Sequence, residues 1–291
     1  MKDVQFRFPD HVTDDLLCVI VIDDYVLKSG AAVEAGEVFY DTFDWRLFKK
    51  SLVLRRTGDE WSVRRLETGD ALERLDGDAE PGLVGEIPDG PLKQLIASIV
   101  GVRRLLSMGE ATVQTTPCCI LDDDGKCVAR LFVTKVWTGS SDDACEGARG
   151  RLLETESVLL DFHLVLQRVR GYRKDFRRIA RKFEEAGLTV GPWQETFEHI
   201  LTAAGKQPGA YSAKPSYQFK AGMRADEATK KILRSTLAVI RANEEGIKAD
   251  WDIEFLHDFR TAVRRTRSAL NQIPKVFPPD VTERYLSLIH I

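Results

Sequence analysis

Hydrophobic and polar positions alternate over several short stretches in the first two thirds of the chain, and this alternation predicts strands. Residues 51–56 and 61–65 carry it on either side of Thr57-Gly58-Asp59-Glu60, a hairpin with a glycine-containing loop. A second hairpin is written around Asp122-Asp123-Asp124-Gly125, between 118–121 and 128–133, and 164–169 predicts another strand. Antiparallel strands joined in this way predict a barrel or sandwich up to about residue 190. Residues 139–150 predict a surface loop, and 173–186 a charged helix stopped by Gly187.

Beyond that point the period lengthens. Residues 194–203 predict a helix, 205–222 have no helical period and read as a linker, and 225–242 and 252–273 predict two helices, the second ended by Pro274 and Pro278-Pro279. A rotation of about 100° per residue places His257, Arg260, Arg264 and Arg267 in one stripe, with Leu256, Phe259, Val263 and Leu270 on a different side. Lys230, Arg234 and Arg241 share a face of the preceding helix in the same way, away from Ile232, Leu233, Val239 and Ile240.

Charge sharpens this pattern. The 291 residues have a formal net charge of −3. Residues 205–285 hold 15 Lys and Arg against 10 Asp and Glu, while the rest holds 27 against 35. A basic segment on an acidic chain implies an anionic partner for that segment. Arg suits repeating phosphates because its planar fork donates two parallel hydrogen bonds, and His257 can add a donor. Rows of charge on helices are ordinarily solvated surface; here few carboxylates stand near enough to neutralise the arginines. A nucleic-acid partner is disfavoured because no aromatic residues interleave with the rows to stack on bases.

Other classes fall away. No apolar run approaches the roughly 18 residues of a membrane span, and the first residues lack a secretory layout, so a cytoplasmic location without a membrane partner is expected. Five cysteines without a C-x-x-C pair predict buried thiols rather than a zinc site or disulfide framework.

The run His257-Asp258-Phe259-Arg260 through Arg264-Arg265-Thr266-Arg267, with Ile232-Leu233-Arg234 and Ala242-Asn243-Glu244 before it, resembles the His-Asp-x-Arg-x-x-x-Arg-Arg-x-Arg segment of CHAD domains. That resemblance implies an all-helical bundle that binds polyphosphate along its basic rows, present here as a truncated domain. Residues 286–291 read like a translated sequencing adapter, so His290 is set aside from site arguments. Tyr40-Asp41-Thr42-Phe43-Asp44, ahead of the first basic hairpin, resembles CYTH domains, the triphosphate tunnel family. This second resemblance implies an eight-stranded antiparallel tunnel holding triphosphate on inward basic residues, for which Arg55, Arg64 and Arg130 are the candidates. The family's Glu-x-Glu-x-Lys opening corresponds to Asp3-Val4-Gln5-Phe6-Arg7, where Gln5 removes a carboxylate that a divalent ion needs.

The expected architecture is α+β: a tunnel-like antiparallel β-barrel domain over 1–190, a helix and linker over 191–222, and an all-α helical-bundle fragment over 223–285. The expected function is binding of inorganic polyphosphate or a similar polyanion through Lys230, Arg234, Arg241, His257, Arg260, Arg264 and Arg267, with association with polyphosphate granules. No catalytic or metal-ligating residue and no cofactor is expected. The alternative is a metal-dependent triphosphatase in the barrel, using Mg or Mn and involving Arg55, Arg64 and Asp3.

Overall fold

A computed structural model describes residues 3–8, 25–77, 82–138, 157–273 and 275–288. Ten strands form one antiparallel sheet: β1 (Val4–Arg7), β2 (Val26–Ser29), β3 (Val33–Thr42), β4 (Leu52–Thr57), β5 (Glu60–Arg65), β6 (Ala71–Asp76), β7 (Leu105–Leu121), β8 (Cys127–Thr138), β9 (Leu159–Arg168) and β10 (Thr189–Val190). The spatial order is β10-β1-β9-β8-β7-β3-β4-β5-β6, with β2 added along β7. Among the described residues six helices accompany it: α1 (Pro91–Val100), α2 (Arg173–Glu185), α3 (Trp193–Ala203), α4 (Ala225–Lys248), α5 (Ile253–Gln272) and α6 (Pro279–Leu288).

Both expected hairpins are present. The β7–β8 turn is closed by Asp122, whose Oδ1 accepts from the Lys126 backbone N–H at 2.8 Å, while Gly125 takes the positive φ that the turn requires. Alternation then divides the side chains between two faces. Leu164 and Leu166 of β9, Leu131 and Val133 of β8 and Phe6 of β1 join a core covered by Phe176, Ile179 and Phe183 of α2. Their neighbours His163, Val165, Thr134, Val136 and Gln5 face a cavity on the other side.

That cavity shows how strongly the sheet is curved. Side chains of β1, β3, β4, β5, β7, β8 and β9 all reach it, which a flat sheet with strands about 4.8 Å apart would not permit. The sheet ends at β10 and β6, so it is an open barrel. The chain around α3 spans the opening: Trp193 N–H donates to the Glu67 carbonyl at 3.0 Å, and Phe197 and Trp193 pack on Phe39.

Two compact units emerge, and they interleave in sequence. The first comprises 1–41, 50–79 and 107–207; the second comprises 42–49, 80–106 and 208–291. The helical unit therefore includes two segments from within the range 1–190 expected for the barrel. In the second unit α4 and α5 form an antiparallel hairpin. Thr229, Thr236 and Asn243, seven residues apart, line the buried stripe of α4. Thr266 Oγ1 donates to Thr236 Oγ1 at 2.8 Å, and Gly246 leaves room for the Phe255 ring, because a Cβ there would lie 2.3 Å from it. Asp252 caps α5 by accepting from the Glu254 N–H at 2.9 Å. The first of these helices runs six residues beyond its expected end at 242, to Lys248, where Ala249 accepts the chain's turn into α5.

Segments 42–49 and 80–106 supply the polar centre of the same unit. Arg103, 1 % exposed, donates to Asp252 Oδ1 at 3.3 Å and Asp258 Oδ2 at 2.7 Å, and lies 3.7 Å from Asp44 Oδ1. Tyr211 donates to Asp258 and accepts from the Asn243 amide at 2.8 Å. Phe43 packs on Tyr211 and Phe255. Residues 205–222, expected as linker, thus contribute Tyr211 to the core. No helix is long and apolar enough to cross a membrane among the described residues.

Candidate functional site

Two arrangements can hold anions, one in each unit. The first is the cavity, of about 580 Å³. Arg55 of β4 and Arg64 of β5 line it. Arg55 Nη1 is paired with Glu37 Oε1 across the β3–β4 register, and Arg64 Nη1 donates to the Gly69 carbonyl at 2.7 Å. Burial first, and then the charge of Arg55, push the Arg64 guanidinium down to about 10. Arg55 Nε and Gln5 Nε2 are buried without a hydrogen-bond acceptor. The wall thus carries unsatisfied donors and two neighbouring guanidiniums, along with the carboxylates of Asp3, Glu37, Glu67 and Asp70. Arg130 lies elsewhere: it is exposed on β8 opposite Gln167 and Cys119, beyond the lining.

The opposite wall holds a group that the sequence pattern did not single out. His163 is 4 % exposed; its Nδ1 sits 2.9 Å from Asp161 Oδ2, and its ring lines the cavity. Asp161 also accepts from Arg7 Nη1 at 2.6 Å and from Thr196 Oγ1 at 2.5 Å. Arg7 Nε lies 2.9 Å from Glu195 Oε2, an ion pair without hydrogen-bond alignment. Burial by itself would raise Asp161, but the bonds from His163 and Thr196 and the charge of Arg7 outweigh it and hold the carboxyl at about 2. The signal in the sequence was period-two placement alone: Asp161 and His163 alternate with Leu164 and Leu166.

The described donor set does not fit a hard divalent ion. Among the described residues no three His, Cys, Asp or Glu side chains converge on one point, whereas Mg requires near-octahedral oxygen coordination. Glu37 is committed to Arg55, and Asp3 is held by the Gln167 amide at 3.3 Å. Glu154 and Glu156, which have strand-like alternation, lie outside the described residues, as do Cys18 and Cys145. Cys118, Cys119 and Cys127 are free thiols on β7 and β8, Cys118 buried and the others half-buried.

The second arrangement is on the helical hairpin. Lys230, Arg234, Arg241, His257, Arg260, Arg264 and Arg267 are all exposed. Measured from the Thr236–Thr266 contact, the cations lie roughly 100–180° around each helix in the same sense. On antiparallel helices equal rotations lead to the same side, so the two rows share one side of the hairpin. Lys230 pairs with Asp226 at 3.1 Å, and Arg264 donates to Thr261 Oγ1 at 3.2 Å. Arg234, Arg241, Arg260 and Arg267 have no carboxylate partner among the described residues. Arg265 behaves differently: half-buried, it donates to the Ala213 carbonyl at 2.6 Å.

No curated protein sequence matches the chain. Among solved structures, a Hippeastrum protein assigned as an adenylyl cyclase, with a dominant triphosphatase activity, is 11 % identical. The match covers 73 % of this chain and 100 % of that one at a TM-score of 0.40. A Vibrio parahaemolyticus protein assigned as an adenylate cyclase is 14 % identical, covering 67 % and 96 % at 0.30. At these scores the fold of this chain stands on its own strands and register. The family comparison is local and falls on the hairpin: residues 231–289, which carry most of α4 and all of α5 and α6, match the CHAD domain family.

Proposed function

We propose that this protein binds inorganic polyphosphate along the two cationic rows of the α4–α5 hairpin. The carrying observation is that Arg234, Arg241, Arg260 and Arg267 are exposed and have no carboxylate partner among the described residues, whereas Arg7, Arg46, Arg55 and Arg103 are each held by carboxylates. Cations used for stability are consumed by the fold; these four are not. Row members on α5 are one helical turn apart and those on α4 one or two turns apart, so a linear phosphate chain meets several at once, each through charge-assisted bonds. The match of 231–289 to the CHAD domain family supports the same ligand class. Polyphosphate binding measured at two salt concentrations tests this reading. Affinity should fall steeply with salt, and Arg260→Ala or Arg264→Ala should each cost about 1.5–3 kcal/mol. Unchanged binding in both variants would refute it.

The cavity favours a second reading, a site for a short triphosphate-type anion, on the strength of the buried, acceptor-less Arg55 Nε beside Arg64. Its test is tripolyphosphate binding without added divalent metal, abolished by Arg55→Ala and Arg64→Ala. Binding that survives both changes would place the anion elsewhere. No hydrolytic step is assigned, since the described donors do not assemble a metal site.

A further inference from the structure

Among the described residues a dense cationic surface also lies outside the helical unit. Residues 168–182 contain eight Lys and Arg, namely Arg168, Arg170, Arg173, Lys174, Arg177, Arg178, Arg181 and Lys182, against Asp175 as the single acid. All but Lys182 are exposed. Arg168 ends β9, Arg170 stands in the following turn, and the other six lie on α2 in two rows, 173-177-181 and 174-178-182, with steps of one turn. Phe176, Ile179 and Phe183 on the opposite face are buried in the core, with Phe183 meeting the Phe6 ring edge-on at 5.2 Å. The sheet therefore holds both rows in place.

Helix stability does not account for this composition. Each row places like charges four residues apart, an arrangement that destabilises a helix. Arg173 and Lys174 also occupy the first turn, where the helix dipole is positive and no side chain caps the end. Asp175, which accepts from the Tyr25 hydroxyl at 2.9 Å, is one carboxylate among the eight cations of this segment. Arg181 pairs only loosely with Glu185, at 3.8 Å with both side chains largely exposed. Arg168, Arg170, Arg173, Lys174 and Arg177 have no carboxylate partner among the described residues. A solvated helix face ordinarily mixes its signs; this one accumulates repulsion that a bound polyanion would remove.

We propose that α2 and the turn leading into it form a second polyphosphate-binding surface, located on the barrel unit and independent of the α4–α5 rows. The regular two-row spacing fits a linear chain of phosphates lying along the helix, which engages cations turn after turn. Among the described residues the aromatics here are already engaged: Tyr172 is half-buried against the core, and the Tyr25 ring lies 5.9 Å from the Arg178 guanidinium. The surface shares its ligand class with the reading above but none of its residues.

The test is Arg173→Gln/Arg177→Gln/Arg181→Gln in the full chain, made both alone and together with Arg260→Ala/Arg264→Ala, and titrated with polyphosphate of defined length and with duplex DNA. In either background the triple change should weaken polyphosphate binding and make the slope of log affinity against log salt shallower by roughly three. Without ligand the triple variant should melt at the same temperature or higher, because repulsion has been removed. The charge-preserving set Arg173→Lys/Arg177→Lys/Arg181→Lys should keep most of the binding. Unchanged polyphosphate affinity and salt slope overturn the proposal, as does a loss confined to DNA, which would make α2 a nucleic-acid surface. A lower melting temperature contradicts the electrostatic premise and overturns it too. Loss in the α2 variant with none in Arg260→Ala/Arg264→Ala would uphold this surface and refute the hairpin rows; the reverse result would do the opposite.

Discussion

Arg103 Nη2 donates to Asp258 Oδ2 at 2.7 Å, which ties the residue after His257 on α5 to a side chain 155 residues earlier in the sequence. Burial alone would make the Arg103 guanidinium easier to deprotonate, but Asp44, Asp252 and Asp258 reverse that and hold its charge firmly. The same Asp258 carboxylate, after burial itself, pushes the Tyr211 hydroxyl well above its ordinary range. Asp258 is thus fixed from behind while His257 and Arg260 are exposed.

Removing that guanidinium leaves carboxylates buried without a counter-charge. Arg103→Met should destabilise the helical unit by about 3–5 kcal/mol, the usual effect of breaking one side of a buried ion cluster. Denaturant unfolding followed by hydrogen exchange on α5 would measure it. Native stability in the variant would mean that the cluster contributes nothing net.

The acid limb of stability should be governed in part by Asp161. Its folded carboxyl is held at about 2, below the ordinary unfolded value near 3.8. A depressed folded value means stability that is fully present above the unfolded value and disappears as pH falls through 4 towards 2. The contribution is about 2 kcal/mol, from roughly 1.4 kcal/mol per unit. Asp161→Asn should flatten that part of the pH–stability curve, and a curve of unchanged shape would contradict the assignment.

Arg265 serves as an internal control for the polyphosphate rows. Arg265→Ala removes the same charge as Arg260→Ala, yet its side chain is spent on the Ala213 carbonyl. Polyphosphate affinity should be nearly unaffected, while stability drops by about 1 kcal/mol. Equal binding losses at 260, 264 and 265 would leave only a diffuse basic segment.

Gly246→Ala sets two effects in opposition. Alanine favours a helix interior by about 1 kcal/mol over glycine, but its Cβ would stand 2.3 Å from the buried Phe255 ring. Overpacking of that kind costs about 1–3 kcal/mol, so thermal melting should show net destabilisation. A stabilised variant would show that the Phe255 ring is free to move.

What the sequence revealed follows the range over which each feature is determined. The β4–β5 and β7–β8 hairpins were legible because Thr57-Gly58-Asp59-Glu60 and Asp122 to Gly125 carry their own turn chemistry. The basic stripes of α4 and α5 were legible because helical period is local. Arg103 looked like any surface arginine, since the three aspartates that surround it are distant in sequence. His163 gave no sign either: a histidine alternating with leucines becomes a cavity residue only when the sheet curls. The α2 cations were visible as a charged helix, but their meaning depends on Phe176, Ile179 and Phe183 pinning one face to the core.

The interleaving of the two units bears on the order in which the chain matures. Arg103 leaves the ribosome long before two of the three carboxylates that neutralise it, for Asp252 follows 149 positions later. At about 5–20 residues per second that gap lasts roughly 7–30 s. During that interval the hairpins of the sheet are already made, because their partners are near neighbours, while Asp44 and Arg103 stay hydrated with half of their cluster unmade. The helical unit therefore finishes last although two of its pieces are synthesised early, and a gene cut near residue 208 would release a hairpin whose Asp252 and Asp258 have lost their arginine.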